Sequence, residues 1–368
     1  MHTVVVGGGI AGLSLAYALA RRGRRVTVLD AEPTLGSHSS ARNAQIWLPT
    51  DDDETTGPLA RATAEAMTAL LGREDAWLAR GDAIGLAPDE ASAEAHVRGG
   101  AAGGVIVTIV DAATARRRCP ALAHVSDVPV LVEGAGVLDP HAMLTALIRG
   151  CRDRDVRLRT SAEAIAIEPR GPAWRVSLAD GPLDCDEVVI ASGATAGALG
   201  RSIGIDVPMI ALRRHLAILD VPSREAGTTV WRFADPPVYW RPDSGGALVS
   251  PCDEDPFDPG PTNRLPHVDP ELAERLVAAL GPIVPAWIDA PMRTAWACLR
   301  TYAHDRELVL GPDPRAPGLS WFAGFGGRGM TVAVGAAELC ARAMDGDVDA
   351  LASAMRPERA QPDELASA

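Results

Sequence analysis

The pattern of apolar and polar residues predicts that the chain begins with a strand, a helix and a second strand. Apolar β-branched residues occupy positions 4–6, an Ala- and Leu-rich stretch with helical periodicity covers 10–22, and a second β-branched run covers 26–29. A glycine-rich turn separates the first strand from the helix. This βαβ unit predicts neighbouring parallel strands joined by a right-handed crossover.

The alternation of helical and extended patterns continues to residue 344. Helices are predicted near 57–72, 88–98, 140–153, 269–281 and 330–344, and strands near 83–86, 105–110, 163–168, 173–178, 186–191 and 292–302. The segment 207–250 is rich in β-branched and aromatic residues and predicts successive strands. The chain therefore reads as an α/β protein with more than one sheet.

Composition narrows the class of protein. The 368 residues are 47% hydrophobic and carry a net charge of −13, which argues against nucleic acid as a partner. None of the six cysteines forms a CxxC pair, so we expect free thiols in a reducing cytoplasm. No apolar run reaches the length of a membrane span.

The turn after the first strand contains a dinucleotide-binding fingerprint. Gly7-Gly8-Gly9-Ile10-Ala11-Gly12 matches GxGxxG, and Asp30 lies 18 residues beyond Gly12. The first glycine permits the tight turn, the second lets the backbone approach a pyrophosphate, and the third lets the helix pack on the strand. Asp30 would accept hydrogen bonds from ribose hydroxyls and repel a 2′-phosphate. The fingerprint alone does not separate FAD from NAD.

Further motifs distinguish the two cofactors by their order along the chain. They are Gly36-Ser37-His38-Ser39-Ser40-Ala41-Arg42-Asn43, Gly136-Val137-Leu138-Asp139-Pro140, Ala191-Ser192-Gly193, Tyr239-Trp240-Arg241-Pro242, Leu299-Arg300-Thr301, Leu310-Gly311-Pro312 and Gly326-Gly327-Arg328-Gly329-Met330. In this order the chain resembles, from residue 1 to about 346, the flavoprotein group that includes D-amino-acid oxidase, glycine oxidase and sarcosine oxidase. The D-arginine dehydrogenase type is the nearest in motif sequence.

The resemblance implies an α/β fold with a Rossmann-type FAD-binding domain and a second, α+β substrate domain built on a mixed sheet. The FAD-binding domain would be discontinuous and comprise residues 1–50, 136–206 and 305–350. The substrate domain would comprise 51–135 and 207–304, and residues 356–368 would form a flexible tail.

The resemblance also implies which residues hold FAD. The matching positions belong to the AMP and pyrophosphate end, the adjoining loop, the adenine contact, a phosphate turn and the flavin loop. They are Gly7, Gly9, Ile10, Ala11, Gly12, Asp30, Ser39, Ser40, Arg42, Asn43, Ala164, Gly193, Gly327, Gly329, Met330 and Thr331. The glycines of the last loop would let backbone N–H groups approach the flavin. The helix that follows would stabilise negative charge on the reduced ring.

Three residues are predicted to contact the substrate. Arg300 lies at the family position of the arginine that anchors the substrate carboxylate, and Tyr239 at that of the hydroxyl that assists it. Arg214 matches an active-site arginine of the nearest relatives, although the adjacent Arg213 leaves the register open. Asp82 lies near a position that meets a cationic side chain in the D-arginine dehydrogenase type, which would favour a basic D-amino acid.

Two positions depart from the family pattern. Ile46 occupies the place of an active-site histidine, so substrate orientation or amine deprotonation must differ. Cys298 corresponds to a position that carries glycine in many members and a flavin-linked cysteine in monomeric sarcosine oxidase. Cys298 is therefore a candidate for a covalent link to FAD, with a small buried cysteine as the alternative.

The predicted function is oxidation of the C–N bond of a small amine or amino acid, with hydride transfer to flavin N5 and an imine as product. The substrate would be a D-amino acid, glycine or an N-methyl amino acid, and oxygen or a quinone would accept the electrons. Three alternatives remain open at this point. They are oxidation of a 2-hydroxy acid on the same fold, a nicotinamide-dependent dehydrogenase, and a flavin-binding regulatory protein without turnover.

Overall fold

The computed structural model describes residues 1–50, 53, 55–260 and 265–359. Numbered in chain order, its strands are β1 (His2–Val6), β2 (Arg25–Leu29), β3 (Ile46–Trp47), β4 (Leu78–Ala87), β5 (Val107–Ile109), β6 (Val128–Leu138), β7 (Arg157–Arg159), β8 (Ala166–Arg170), β9 (Ala173–Ser177), β10 (Leu183–Cys185), β11 (Glu187–Ile190), β12 (Met209–Leu219), β13 (Thr229–Arg232), β14 (Val238–Asp243), β15 (Gly246–Ser250), β16 (Asp255–Pro256), β17 (Met292–Ala303), β18 (Val309–Pro312) and β19 (Leu319–Ala323).

The α-helices are α1 (Ile10–Arg21), α2 (Thr56–Leu71), α3 (Glu90–Gly103), α4 (Ala112–Arg118), α5 (Pro140–Arg152), α6 (Ala196–Ser202), α7 (Ser223–Ala226), α8 (Leu272–Leu280), α9 (Gly329–Met344) and α10 (Ala350–Ala354). Short 3-10 helices lie at Glu74–Ala76, Gly193–Thr195, Pro285–Trp287 and Pro357–Arg359. Across the described residues, none of these helices combines the length and the apolar character needed to span a lipid bilayer.

The N-terminal strand lies inside a six-stranded sheet with the order β18-β19-β11-β1-β2-β7. β7, β2, β1, β11 and β19 are parallel, and β18 adds an antiparallel edge. Helices α1 and α9 cover one face, where Val5 and Val189 join their core. Val4 and Val188 point to the opposite face, onto the three-stranded sheet β10-β9-β8. Because both faces are covered, β1 is apolar at successive positions rather than alternating.

The second large sheet is mixed. It has ten strands among the described residues. Eight of them follow the order β16-β12-β15-β14-β13-β4-β6-β3, while β17 pairs with β12 and β5 pairs with β6. β4 and β13 are parallel, and the other pairs are antiparallel. The long pairing of β12 with β17 sets Arg214 opposite Cys298 and Leu212 opposite Arg300. Since side chains alternate along a strand, Cys298 and Arg300 share one face of β17.

The two faces of this sheet bury different cores. Trp240 of β14 packs with α8 and Trp287, whereas its neighbour Tyr239 joins the opposite core together with Leu216 and Trp231. Because successive side chains of a strand point to opposite faces, Trp240 belongs to the core with α8, and Tyr239 lies on the face that carries Arg300.

The predicted fold class is confirmed, and most predicted elements agree with the structure to within a few residues. The N-terminal unit is present as β1, α1 and β2, and α5 begins after Asp139, whose carboxylate accepts from the Ala142 N–H. The sequence analysis missed several elements, among them α4, α6, β6, β7, β10, β18 and β19. β6 contains Pro129 and Gly134, which weaken a strand pattern in sequence, yet it pairs along β4 for most of its length.

The predicted domain bounds stay a prediction, and the sheets cross two of them. β3 and the end of β6, which were predicted to belong to the FAD-binding domain, pair within the ten-stranded sheet. In addition, α2 of the predicted substrate domain packs against α9, and the Gly335 N–H donates to Thr63 Oγ1 at 2.9 Å. Residues 357–359 of the predicted tail form a 3-10 helix in which Arg359 bonds to Asp305. Residues 360–368 lie outside the described part of the chain.

The turn after β1 supplies a test of the fold. A Cβ at Gly12 would lie 1.8 Å from the carbonyl oxygen of Gly7, so Gly12→Ala must displace backbone. We expect it to lower the free energy of unfolding by about 1–3 kcal/mol, measured by urea denaturation with and without excess FAD. Gly81→Ala is the matched control because a Cβ there meets nothing within 4 Å. Equal effects of the two changes would contradict this account of the turn.

Candidate active site

A cavity of about 1800 Å³ extends from the turn after β1 to the strand β17. The predicted cofactor residues on its wall are Gly7, Gly9, Ile10, Ala11, Asp30, Ser39, Ser40, Asn43, Ala164, Gly193, Gly327, Gly329, Met330 and Thr331. The predicted substrate residues Arg214, Tyr239 and Arg300 are also on its wall, together with Cys298, the candidate for a covalent link to FAD. Both sheets therefore contribute to one continuous cavity.

The glycine turn brings three backbone segments together. Gly7 has φ +112°, and a Cβ there would lie 2.4 Å from the carbonyl oxygen of Ala191 at the end of β11. Gly12 does not line the cavity, and its role is the close contact of α1 with Gly7. The N-cap residue Gly9 has no side chain to cap α1, and the Ile10 N–H donates to Ser40 Oγ at 2.9 Å. The helix therefore presents its positive end to the cavity.

Asp30 is oriented by two backbone donors. Its Oδ2 accepts from the Gly8 N–H at 2.7 Å, and its Oδ1 accepts from the Glu32 N–H at 2.8 Å. Burial raises the pKa of this carboxyl, and the two N–H bonds oppose that shift. The carbonyl of Asp30 also accepts from the Ala162 N–H, which places the segment with Ala164 beside it. This end of the cavity has the acceptor that a ribose requires.

Two serines that the sequence analysis did not single out strengthen the fit to FAD. The hydroxyl oxygens of Ser37 and Ser192 are buried, lie on residues of the cavity wall, and have no hydrogen-bond partner among the described residues. A buried hydroxyl without a partner is energetically unfavourable, so a polar ligand at this end would satisfy both. Both serines fall within quoted motifs, and their unsatisfied state is visible only in the structure. The residues present fit the cofactor.

Arg42 is not where the sequence analysis expected it. It does not line the cavity; its Nη1 lies 3.5 Å from the carbonyl oxygen of Ala297, and its own carbonyl accepts from Trp296 Nε1 at 2.9 Å. Nearby, Ser39 Oγ donates to the Leu299 carbonyl at 2.7 Å. The structure thus places Arg42 against the backbone of β17, and its contact with FAD stays a prediction.

The glycine-rich segment before α9 contacts the substrate end of the cavity. A Cβ at Gly327 would lie 2.8 Å from Arg300 Nη1, so only glycine allows the guanidinium to pack against this backbone. In the described structure no side chain caps α9 and no acidic residue occupies its first turn. Arg328, which also lines the cavity, fixes the turn by pairing with Asp53 and donating to Thr56 Oγ1.

Arg300 is a cation without an anionic partner. Within the described part of the chain it forms no ion pair with a carboxylate, and its Nη2 lies 3.3 Å from the hydroxyl of Tyr239. Arg300 Cζ lies 5.8 Å from the centroid of the Tyr239 ring. Burial raises the pKa of Tyr239, so its hydroxyl remains protonated at neutral pH. The pair provides a permanent charge and a neutral donor next to open volume.

Arg214 lines the same cavity, but its charge is already compensated. Its Nη2 donates to Glu254 Oε1 at 2.9 Å and its Nε to the Asp253 carbonyl at 2.7 Å. Arg306 also pairs with Glu254. The register question is settled by the faces of β12, because Arg213 pairs with Asp255 and Asp269 away from the cavity. Glu254 and Arg306, on the cavity wall, were missed by the sequence analysis.

The two departures from the family pattern lie on the cavity wall, whereas Asp82 does not. Asp82 pairs with Arg118 of α4 at 2.5 Å, and its expected contact with a cationic substrate stays a prediction without support from this geometry. Ile46 contributes an apolar group in place of an imidazole. Burial raises the pKa of the Cys298 thiol, although Arg300 and Arg214 oppose that shift.

The fold and the cavity agree with what comparison with known proteins finds. A family model described as FAD dependent oxidoreductase (DAO) matches residues 2–343. The chain belongs to this family. The predicted cofactor is therefore confirmed, the nicotinamide alternative is wrong, and the protein is an FAD-dependent oxidase or dehydrogenase.

Individual relatives are distant. Glycine oxidase of Bacillus licheniformis is 25% identical over 347 residues, which cover 92% of this chain and 91% of that protein. D-amino acid dehydrogenase of Methylobacterium radiotolerans is 26% identical over 96% of this chain and 98% of its own length. The crystal structure of L-proline dehydrogenase from P. horikoshii superposes with a TM-score of 0.84 at 21% identity, covering 97% of both chains. Several longer relatives are matched over little more than half of their length.

Asp30 permits a test of the cofactor site that does not depend on turnover. We expect Asp30→Ala to weaken FAD binding by about 10- to 100-fold, because a hydrogen bond to a charged group contributes about 1.5–3 kcal/mol. Titration of apoprotein, followed by flavin fluorescence, measures the dissociation constant. Asp184→Ala is the control, since that carboxylate is exposed and pairs with Arg175. Unchanged affinity in Asp30→Ala would remove Asp30 from the cofactor site.

Cys298 permits a test of covalent attachment. Because its thiol pKa is raised, the nucleophilic thiolate is scarce at neutral pH, and we expect FAD to be bound without a covalent link. Acid precipitation should then release all of the flavin into the supernatant, from both the native protein and Cys298→Ser. Flavin that remains in the native pellet but not in the Cys298→Ser pellet would establish the thioether instead.

Proposed function

We propose that this protein oxidises the C–N bond of a small amine that carries a carboxylate, such as an amino acid, to an imine. When bound, FAD supplies the hydride acceptor for this oxidation. The observation that supports the proposal is Arg300, a cation with no anionic partner among the described residues, on the wall of the cofactor cavity.

An unpaired guanidinium in a partly closed cavity is costly unless a ligand compensates its charge. A substrate carboxylate would do so through two parallel N–H···O bonds, the geometry that guanidinium favours. Arg214 and Arg306 are less suited to this role because both already pair with Glu254. Arg300 is therefore the carboxylate anchor that the charges of the described residues support.

Tyr239 complements the anchor. Its hydroxyl accepts from Arg300 Nη2 at 3.3 Å and keeps its own proton, which it can donate to the same carboxylate. The strand pairing places Tyr239 opposite Ser250 within the sheet, and the ring is buried. Such fixed donors orient the substrate, and orientation is a large part of what this reaction requires of the protein.

Among the described residues, the substrate end of the cavity has no imidazole that could act as a base. The one histidine among the described lining residues is His38, whose Nε2 lies 2.9 Å from Glu32 Oε1 near Asp30 at the other end. We therefore propose that the amine reaches the cavity in its neutral form or loses its proton to solvent. The electron acceptor, oxygen or a quinone, stays a prediction.

Removing the anchor tests the proposal. We expect Arg300→Met to lower kcat/KM for an amino acid by about 10²- to 10³-fold, since loss of one partner of a buried charge pair costs about 2–5 kcal/mol. The measurement is the rate at which substrate bleaches the visible flavin absorbance without oxygen. Each amino acid is compared with its amide, and the preference for the carboxylate should disappear in Arg300→Met. Arg300→Lys should retain part of it.

Arg175→Met is the matched control, because Arg175 forms an exposed pair with Asp184 far from the cavity. Flavin content is measured in every variant to separate loss of cofactor from loss of substrate binding. A preference for the carboxylate that survives in Arg300→Met would contradict the assignment. Bleaching by a 2-hydroxy acid but not by the matching amino acid would replace C–N with C–OH oxidation.

A further inference from the structure

The cavity wall beside Arg300 is apolar. Leu216, Trp231, Tyr239 and Cys298 form one buried cluster, and Ile46 and Leu48 pack against it. All six residues line the cavity. Since Tyr239 also contacts Arg300, this apolar wall adjoins the proposed carboxylate anchor.

The wall follows from alternation along the strands. Ile46 and Leu48 face the apolar wall, whereas Trp47 between them is buried in another core against Trp77. Leu216 lies two residues beyond Arg214 on the same face of β12. The strands that build the sheet thus direct apolar side chains to the face that carries Arg300.

Phe233 extends the wall towards solvent. It follows Trp231 by two residues, and the two ring centroids are 6.4 Å apart. Phe233 lines the cavity while being 53% exposed, and it stacks on His96 at 5.8 Å. Because the exposed ring of Phe233 lies at the end of the buried apolar wall, a substrate side chain longer than a methyl group has room to extend along the wall.

Charges argue against a charged side chain on the substrate. The described carboxylates at this end of the cavity lie next to arginines: Glu254 next to Arg214 and Arg306, Asp53 and Glu307 next to Arg328, and Asp305 next to Arg359. Asp258 is exposed, and Asp82 pairs with Arg118. Among the described residues, a cationic side chain would therefore find no carboxylate that is both buried and unpaired, and Arg300 is assigned to the α-carboxylate.

We propose that the substrate is an α-amino acid with a large apolar side chain, and that Ile46 and Leu48 help to select it. The inference rests on the proposed function, because it takes Arg300 as the carboxylate anchor. The side chain would lie along the apolar wall, with glycine too small to use it and lysine, arginine, aspartate and glutamate disfavoured by uncompensated charge.

The test is a substrate series on the holoenzyme. Both enantiomers of alanine, 2-aminobutyrate, norvaline, norleucine and phenylalanine are compared with glycine, lysine, arginine and glutamate by anaerobic bleaching. We expect kcat/KM to rise by about fourfold for each added methylene, the factor that corresponds to burying one such group. A higher value for glycine or for any charged amino acid than for norleucine would overturn the inference while leaving the proposed function intact.

Leu48→Ala tests the wall directly. We expect it to lower kcat/KM for norleucine by about tenfold, mainly through KM, while alanine changes by less than twofold. Ile109→Ala is the control, because Ile109 is 42% exposed and absent from the cavity wall. Equal losses for norleucine and alanine would overturn the role of Leu48.

Equilibrium binding separates the two proposals. Carboxylic acids without an amine, from acetate to hexanoate, are titrated into the holoenzyme and followed through the flavin spectrum. We expect affinity to rise with chain length in the native protein and to rise less steeply in Leu48→Ala. If no amine bleached the flavin but this trend persisted, the proposed function would fail and the apolar wall would stand. A flat series would overturn the wall.

Discussion

The architecture depends on a contact between backbone segments that leaves no room for side chains. The turn after β1, the start of α1 and the end of β11 meet at Gly7, Gly12 and Ala191. A Cβ added at Gly7 would overlap the carbonyl oxygen of Ala191, and a Cβ added at Gly12 would overlap the carbonyl oxygen of Gly7. This contact lets β1 lie between β2 and β11 and sets the N-terminus of α1 at the carboxyl ends of the strands. In open parallel sheets that edge is where dinucleotides bind. The position of the cofactor end of the cavity follows from it.

A second sheet supplies the chemistry of the other end. The pairing of β12 with β17 brings Arg214, Cys298 and Arg300 to one face, and β14 contributes Tyr239 to the same core. Arg214, Arg300 and Arg306, all on the cavity wall, differ in their partners rather than in their chemistry. Arg214 and Arg306 share Glu254, and Arg300 meets only neutral groups among the described residues. That difference is the reason for proposing Arg300 as the carboxylate anchor.

The loop from Ser39 to Gln45 connects the two ends. Ser39 bonds to the carbonyl of Leu299 in β17, and Arg241 of β14 donates to the carbonyl of Ala44 and to the Gln45 side chain. The same loop gives Ser40 Oγ to the start of α1. Because one segment is bonded to the ten-stranded sheet and to the start of α1, the distance between the two ends of the cavity is held by hydrogen bonds as well as by packing. Arg42 serves this attachment.

Part of this protein is local in origin and was predictable from the chain. The contact of Gly12 with Gly7 and the cap at Asp139 act on near neighbours, and Asp30 bonds to Gly8 within the same βαβ unit, so their geometry is encoded in short segments. The order of motifs sufficed for the family and the cofactor, which the comparisons confirm. The tertiary structure alone decided that Arg214 faces the cavity while Arg213 does not, and that Asp82 pairs with Arg118. It also decided which serine hydroxyls lack a partner and which apolar residues line the wall beside Arg300. These properties depend on strand register and on partners tens to hundreds of residues apart, and a local pattern carries no information about either.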